Sequence, residues 1–177
     1  MSTVWYFAYG SNMQSETLRG RRGVEYHRAV TARLPGWRLV LDKPGLISVV
    51  GAFANIIPDP GAEVLGVSFE LSETDLAHVD LTEGVLIGNY DRVAVTVQPL
   101  ASPGAPPLAA FTLTSERRDA SVQPTRRYMD LLIAGAEEHG LPAAYVAFLR
   151  SIPASEETPE AQELRVMMDQ FMKKPGE

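Results

Sequence analysis

The chain contains no cysteine, so neither a disulfide nor a thiolate-held metal can organise it. Histidine is almost as scarce: His27, His78 and His139 lie far apart, and none stands in a metal-ligand spacing such as His-x-x-x-His. No metal or other cofactor is expected. Positive charge is in deficit, with 16 Lys and Arg against 22 Asp and Glu and a net charge of −6. A protein that tracks phosphates needs a basic face, so nucleic acid is not an expected partner. No apolar run approaches the roughly 18 residues that cross a bilayer, and no basic segment with a small-residue cleavage site precedes the first strand. These absences predict a cytoplasmic protein without a membrane partner. There is no internal repeat, no Gly-x-Ser-x-Gly elbow, and no phosphate loop, since Gly10 stands apart from Gly20 and Gly23.

What remains is enough for a core. One domain spanning 1–177 is expected, with 155–177 as a helical C-terminal extension. A chain of this length hides about 70% of its unfolded surface without staples. Trp5–Tyr9 reads as a buried strand, followed by a helical turn over Gln14–Leu18. Arg19, Arg21 and Arg22 then read as a solvated loop. Val24–Ala32 and Trp37–Leu41 are expected strands broken at Pro35-Gly36, and Gly51–Ile57 is another that ends in a turn at Pro58-Asp59-Pro60-Gly61. Val64–Leu71 alternates as a half-buried strand would, and Ser72 caps a helix leading to Glu83. Strands over Tyr90–Val97 and around Ala109–Leu113 flank a mobile, proline-rich hairpin tip at Pro99–Pro107. Helices follow from Pro124-Thr125 to Gly140, over Pro142–Arg150 and over Ala161–Met172. Leu164, Met168, Phe171 and Met172 share a face of the last, which would suit packing or a homodimer. Many short strands before several helices make the class α+β, with the sheet curled or closed as a small barrel flanked by helices.

Three segments carry the chemistry. Tyr9-Gly10-Ser11-Asn12 ends the first strand in a turn where Gly10 and Asn12 tolerate positive φ, so successive N–H groups can converge on an anion. An ordinary strand-to-helix turn has the same composition. Glu83-Gly84, with Tyr90 soon after, puts a lone carboxylate between a helix and a strand, close to the apolar Val85, Leu86 and Ile87. By itself it would be a surface glutamate. Pro124-Thr125-Arg126-Arg127-Tyr128 opens a helix that ends Gly135-Ala136-Glu137-Glu138-His139-Gly140-Leu141-Pro142.

In this order and spacing the segments resemble the γ-glutamylcyclotransferase (AIG2-like) family, from about Tyr6 to about Pro153. The resemblance implies a small mixed β-barrel and an enzyme that cyclises γ-glutamyl amino acids or amines to 5-oxoproline, releasing the free amine. It implies Glu83 as general base and then acid, with the Gly10–Asn12 loop holding the α-carboxylate of a small γ-glutamyl substrate. Tyr9 would shape the pocket, and the hydroxyls of Tyr90 and Tyr128 would orient Glu83 or the substrate. Asn89, and the Lys43–Val49 loop with no family pattern, leave the leaving group open; glutathione ranks lower, since a related group with different motifs handles it. Two alternatives stand beside this reading: a pathway-specific enzyme that strips γ-glutamyl from a larger metabolite, and a non-catalytic carboxylate-binding module.

Overall fold

A computed structural model describes residues 2–47, 50–101 and 104–172, apart from the side chains at 169, 171 and 172. The residues 48–49, 102–103 and 173–177 within the expected loop, hairpin tip and extension lie outside the described set, as do the side chains of Phe171 and Met172. Five strands, β1 (Thr3–Ala8), β2 (Arg28–Pro44), β3 (Ala52–Ser72), β4 (Asp91–Pro99) and β5 (Leu108–Thr114), form a closed barrel in the order β1-β3-β2-β4-β5. The seam is a short parallel pairing of β1 with β5, and the other neighbours run antiparallel. The described residues also form four α-helices: α1 (Glu73–Thr82), α2 (Arg126–Glu138), α3 (Ala143–Ser151) and α4 (Pro159–Met172).

Two expected breaks do not break the chain. Pro35-Gly36 and Pro58-Asp59-Pro60-Gly61 sit opposite one another in a continuous β2–β3 ribbon, where the register shifts between Pro35↔Glu63 and Trp37↔Pro58. Regular ladders on both sides hold the strands in line, so facing breakers make a bulge rather than a reversal. Gly36, at φ +80°, supplies the left-handed residue that the bulge needs.

Another difference concerns β3, read as half-buried. Val64–Phe69 is buried on both faces, because barrel closure turns one face inward while neighbouring segments cover the other. Gly66 is there for space: a Cβ would lie 2.3 Å from the Ala8 carbonyl oxygen.

Ser72 caps α1 as the sequence predicts, and α2 opens at the predicted Pro124-Thr125. Ser72 Oγ accepts the Asp75 N–H at 3.0 Å to start α1, and Thr125 Oγ1 accepts the Tyr128 N–H at 3.2 Å to start α2. Met129, Leu132 and Ala136 of α2 are buried in the same core as Phe7 and Phe69. Among the described residues no helix is long and apolar enough to cross a membrane.

Candidate active site

The strand β1 delivers its last apolar residues into the core, and the chain then tightens into a 3-10 turn at Ser11–Met13. Gly10 does not adopt the positive φ expected of it; its φ is −110°. Its role is close approach, since a Cβ would lie 3.2 Å from the Tyr128 hydroxyl oxygen and 3.3 Å from Ala54 Cβ. Ser11 and Asn12 open the turn, where backbone N–H groups have no acceptor within the turn itself. A wider π-type turn follows at Glu16–Arg21, displaced from the expected Gln14–Leu18.

Glu83 is the C-cap residue of α1, and Gly84 turns the chain out with φ +72°. A carboxylate there faces the negative end of the helix dipole. Arg22 offsets that cost. One guanidinium nitrogen donates to the Thr82 carbonyl oxygen at 3.0 Å, and the other lies 2.9 Å from Glu83 Oε1. Asn12 Nδ2 donates to the same carboxylate oxygen at 2.9 Å and to the Tyr6 hydroxyl oxygen at 3.1 Å. The Glu83 side chain is 12% exposed and that of Arg22 16%. Val85, Leu86 and Ile87 do not supply the apolar wall, for Leu86 and Ile87 are 83% and 70% exposed. The positive φ of Gly84 sends Leu86 and Ile87 outward while Val85 packs against the core, and buried tyrosines wall the carboxylate instead.

All seven residues singled out in the sequence, Tyr9, Gly10, Ser11, Asn12, Glu83, Tyr90 and Tyr128, line one cavity of about 40 Å3. Tyr6, Ala54 and Leu113 complete it. The hydroxyls of Tyr90 and Tyr128 are both engaged by Ala54: Tyr90 donates to its carbonyl oxygen at 2.8 Å, and Tyr128 accepts from its N–H at 3.1 Å. Tyr9 donates to the Leu113 carbonyl oxygen at 2.6 Å. The groups that grip Glu83 are therefore Asn12 and Arg22. Burial is the main force holding all four tyrosine hydroxyls in their neutral form, with the Glu83 charge adding to it; Tyr128 is pushed up to about 12. They shape the cavity and exchange hydrogen bonds, while Glu83 is the only carboxylate among the described lining residues. Asn12 Oδ1 is buried without a hydrogen-bond partner, an acceptor left over beside the carboxylate.

Arg22 is thus not part of a solvated loop, as its basic run suggests, and neither it nor Tyr6, a tyrosine inside a strand, carries a local mark of a site in the sequence. Replacing Arg22 by methionine strips a charged donor from both Thr82 and Glu83. It is expected to cost about 1–3 kcal/mol of stability, read from urea unfolding.

Behind Glu83 lies a polar brace. Asn89 Nδ2 donates to the Glu83 carbonyl oxygen at 2.9 Å, while Asn89 Oδ1 accepts from Lys43 Nζ at 2.7 Å and from Arg117 at 2.9 Å. Lys43 is 1% exposed, with its ammonium 4.5 Å from the Tyr90 ring centre. Burial, helped by the nearby Arg117 charge and opposed by Glu83, lowers the Lys43 ammonium from 10.5 to about 8. Between about pH 8 and the ordinary lysine range the folded protein thus binds fewer protons here than the unfolded chain, so this group's contribution to stability rises with pH. Wild type is expected to gain about 1 kcal/mol on Lys43→Met between pH 7 and pH 9. Urea midpoints of both proteins at the two pH values test this; a constant difference would refute it.

Among the described residues no group of three or more His, Asp or Glu is placed to hold a metal. Fold and cavity define a closed five-stranded barrel with a tyrosine-walled carboxylate pocket at one end. The AIG2-like family model matches residues 63–149. The gamma-glutamylcyclotransferase of Bos taurus is 34% identical over 150 residues, covering 83% of this chain and 77% of the relative. The gamma-glutamyl cyclotransferase aclK of Aspergillus oryzae is 31% identical over 166 residues, 83% of this chain but 60% of its own length. A solved gamma-glutamyl cyclotransferase superposes with a TM-score of 0.77 at 25% identity, covering 94% of this chain and 99% of that one. The chain belongs to the γ-glutamylcyclotransferase family.

Proposed function

We propose that the protein is a γ-glutamylcyclotransferase that converts γ-glutamyl amides to 5-oxoproline and a free amine. One observation carries the reading: Glu83 and the Tyr9–Asn12 turn share a single small cavity, so a compact glutamyl head can meet both. The substrate's α-carboxylate faces the N–H groups of Ser11 and Asn12, and its α-ammonium faces Glu83 and the spare Oδ1 of Asn12. That amine attacks the γ-carbonyl carbon, a C–N bond closes the ring, and the amide C–N bond breaks. Two protons leave the α-ammonium, and the departing nitrogen takes up two to leave as an ammonium. A carboxylate that returns what it receives balances the reaction without outside acid or base. Holding the chain bent for ring closure lowers the barrier further, because both reacting groups belong to one molecule.

The related aclK and Bos taurus proteins are both named as γ-glutamyl cyclotransferases, which supports the reading at the level of the reaction. The test is chromatographic detection of 5-oxoproline from γ-glutamyl dipeptides incubated with the purified chain. Absence of 5-oxoproline across a panel of such amides, with tight binding of 5-oxoproline itself, would favour a carboxylate-binding module instead.

A further inference from the structure

Beside the head cavity lies a groove of about 380 Å3 that shares Ser11, Glu83, Tyr90 and Tyr128 with it. With a γ-glutamyl head in the small cavity, the scissile amide lies at Glu83, and whatever is attached to its nitrogen extends into this groove. Its walls are unlike the rest of the surface. Leu46, Phe53, Leu81, Ile87, Leu131 and Met168 converge on it from separate segments. Leu46, Leu81 and Ile87 are also among the exposed large apolar side chains. Counting Ile47 and Leu86, the segments 46–47 and 81–87 beside the groove hold five of the eight such side chains described. Apolar surface concentrated beside a cavity marks a place where a ligand is bound. The charged lining is mostly basic: among the described lining residues Arg21, Arg22, Lys43, Arg127 and Arg165 stand with Glu83 and Glu157, in a chain of net charge −6.

We infer that the groove is the leaving-amine subsite and that it selects γ-glutamyl amides of bulky, apolar amines bearing a carboxylate, such as large hydrophobic or aromatic amino acids. This rests on the cyclotransferase reading above. A volume of about 380 Å3 lies within the roughly 300–1,000 Å3 range of small-molecule sites, far more than an alanine would fill. A small leaving group would leave the apolar walls in water. A large one removes its own surface and theirs from water together. The cationic walls then favour an amine whose carboxylate remains beside the amide nitrogen, the arrangement in an α-amino acid.

The test compares initial rates of 5-oxoproline release by the full chain from γ-glutamyl-phenylalanine, γ-glutamyl-alanine and γ-glutamyl-phenethylamide. Phenylalanine is expected to exceed alanine in kcat/KM by about 10- to 100-fold, from burial of a ring in place of a methyl. Loss of the carboxylate in the phenethylamide is expected to cost about 10-fold. Leu81→Ala is expected to lower the phenylalanine-to-alanine ratio at least about 3-fold, chiefly through KM. Equal rates on all three amides, or a preference for alanine, would overturn the subsite while leaving the cyclisation chemistry standing. Equal rates would fit a groove that docks a protein instead. No 5-oxoproline from any amide would overturn the cyclotransferase reading itself, and the subsite with it.

Discussion

Replacing Glu83 by glutamine is expected to lower 5-oxoproline release by about 100- to 10,000-fold, the usual worth of a positioned acid–base group. The amide is nearly isosteric, and its oxygen can still accept from Asn12 Nδ2 and from Arg22, each 2.9 Å from Glu83 Oε1. What is lost is a group that takes a proton and gives it back. Neither of these neighbours can substitute, since an asparagine amide and a guanidinium do not exchange a proton at neutral pH. The cavity tyrosines cannot either, because burial holds their hydroxyls protonated well above neutral pH. The effect should fall chiefly on kcat, with a smaller rise in KM because the carboxylate also faces the α-ammonium. Rates within about 10-fold of wild type, at an unchanged thermal midpoint, would remove Glu83 from the proton transfers.

The second large effect is one of stability, at a residue outside the cavity. Gly135 lies within α2, where an alanine would ordinarily stabilise a helix by about 1 kcal/mol. Here the sign is reversed. A Cβ at 135 would sit 2.6 Å from the Gln14 backbone nitrogen and 2.8 Å from Met13 carbon atoms, and backbone cannot swing aside as a side-chain tip can. Gly135→Ala is expected to cost about 2–4 kcal/mol, or roughly 5–12 °C in thermal midpoint. Because Met13 ends the turn begun by Ser11 and Asn12, the variant should also bind 5-oxoproline more weakly than its residual stability explains. A variant as stable as wild type would show that α2 can retreat and that the turn does not depend on its closeness.

These two residues differ in how far they could be read beforehand. Glu83 stands out in the sequence because a lone carboxylate followed by Gly84, with Tyr90 soon after, falls into a pattern with Tyr9–Asn12 and Tyr128. Gly135 is silent there, for a glycine in a helix looks like a weakness until its neighbour is known. The same holds for Arg22. Its basic run suggests solvent, yet the wide turn at Glu16–Arg21 carries it to the end of α1, where a helix carbonyl and a carboxylate both need a donor. Lys43 is another such case: nothing near it in the chain foretells a buried ammonium braced on Asn89, a residue forty-six positions away.

The chain's own composition and periodicity determined the class of fold, the helix cap at Ser72, the opening of α2 at Pro124-Thr125, and the residue types able to do the chemistry, since all of these depend on near neighbours along the backbone. Barrel closure, the passage of β2 and β3 through their facing breakers, the grip of Asn12 and Arg22 on Glu83, and the groove leading away from it were decided only in three dimensions. Each of these is a contact between segments far apart in sequence. A contact of that kind takes its energy from distance and burial, quantities that exist only once the chain has folded.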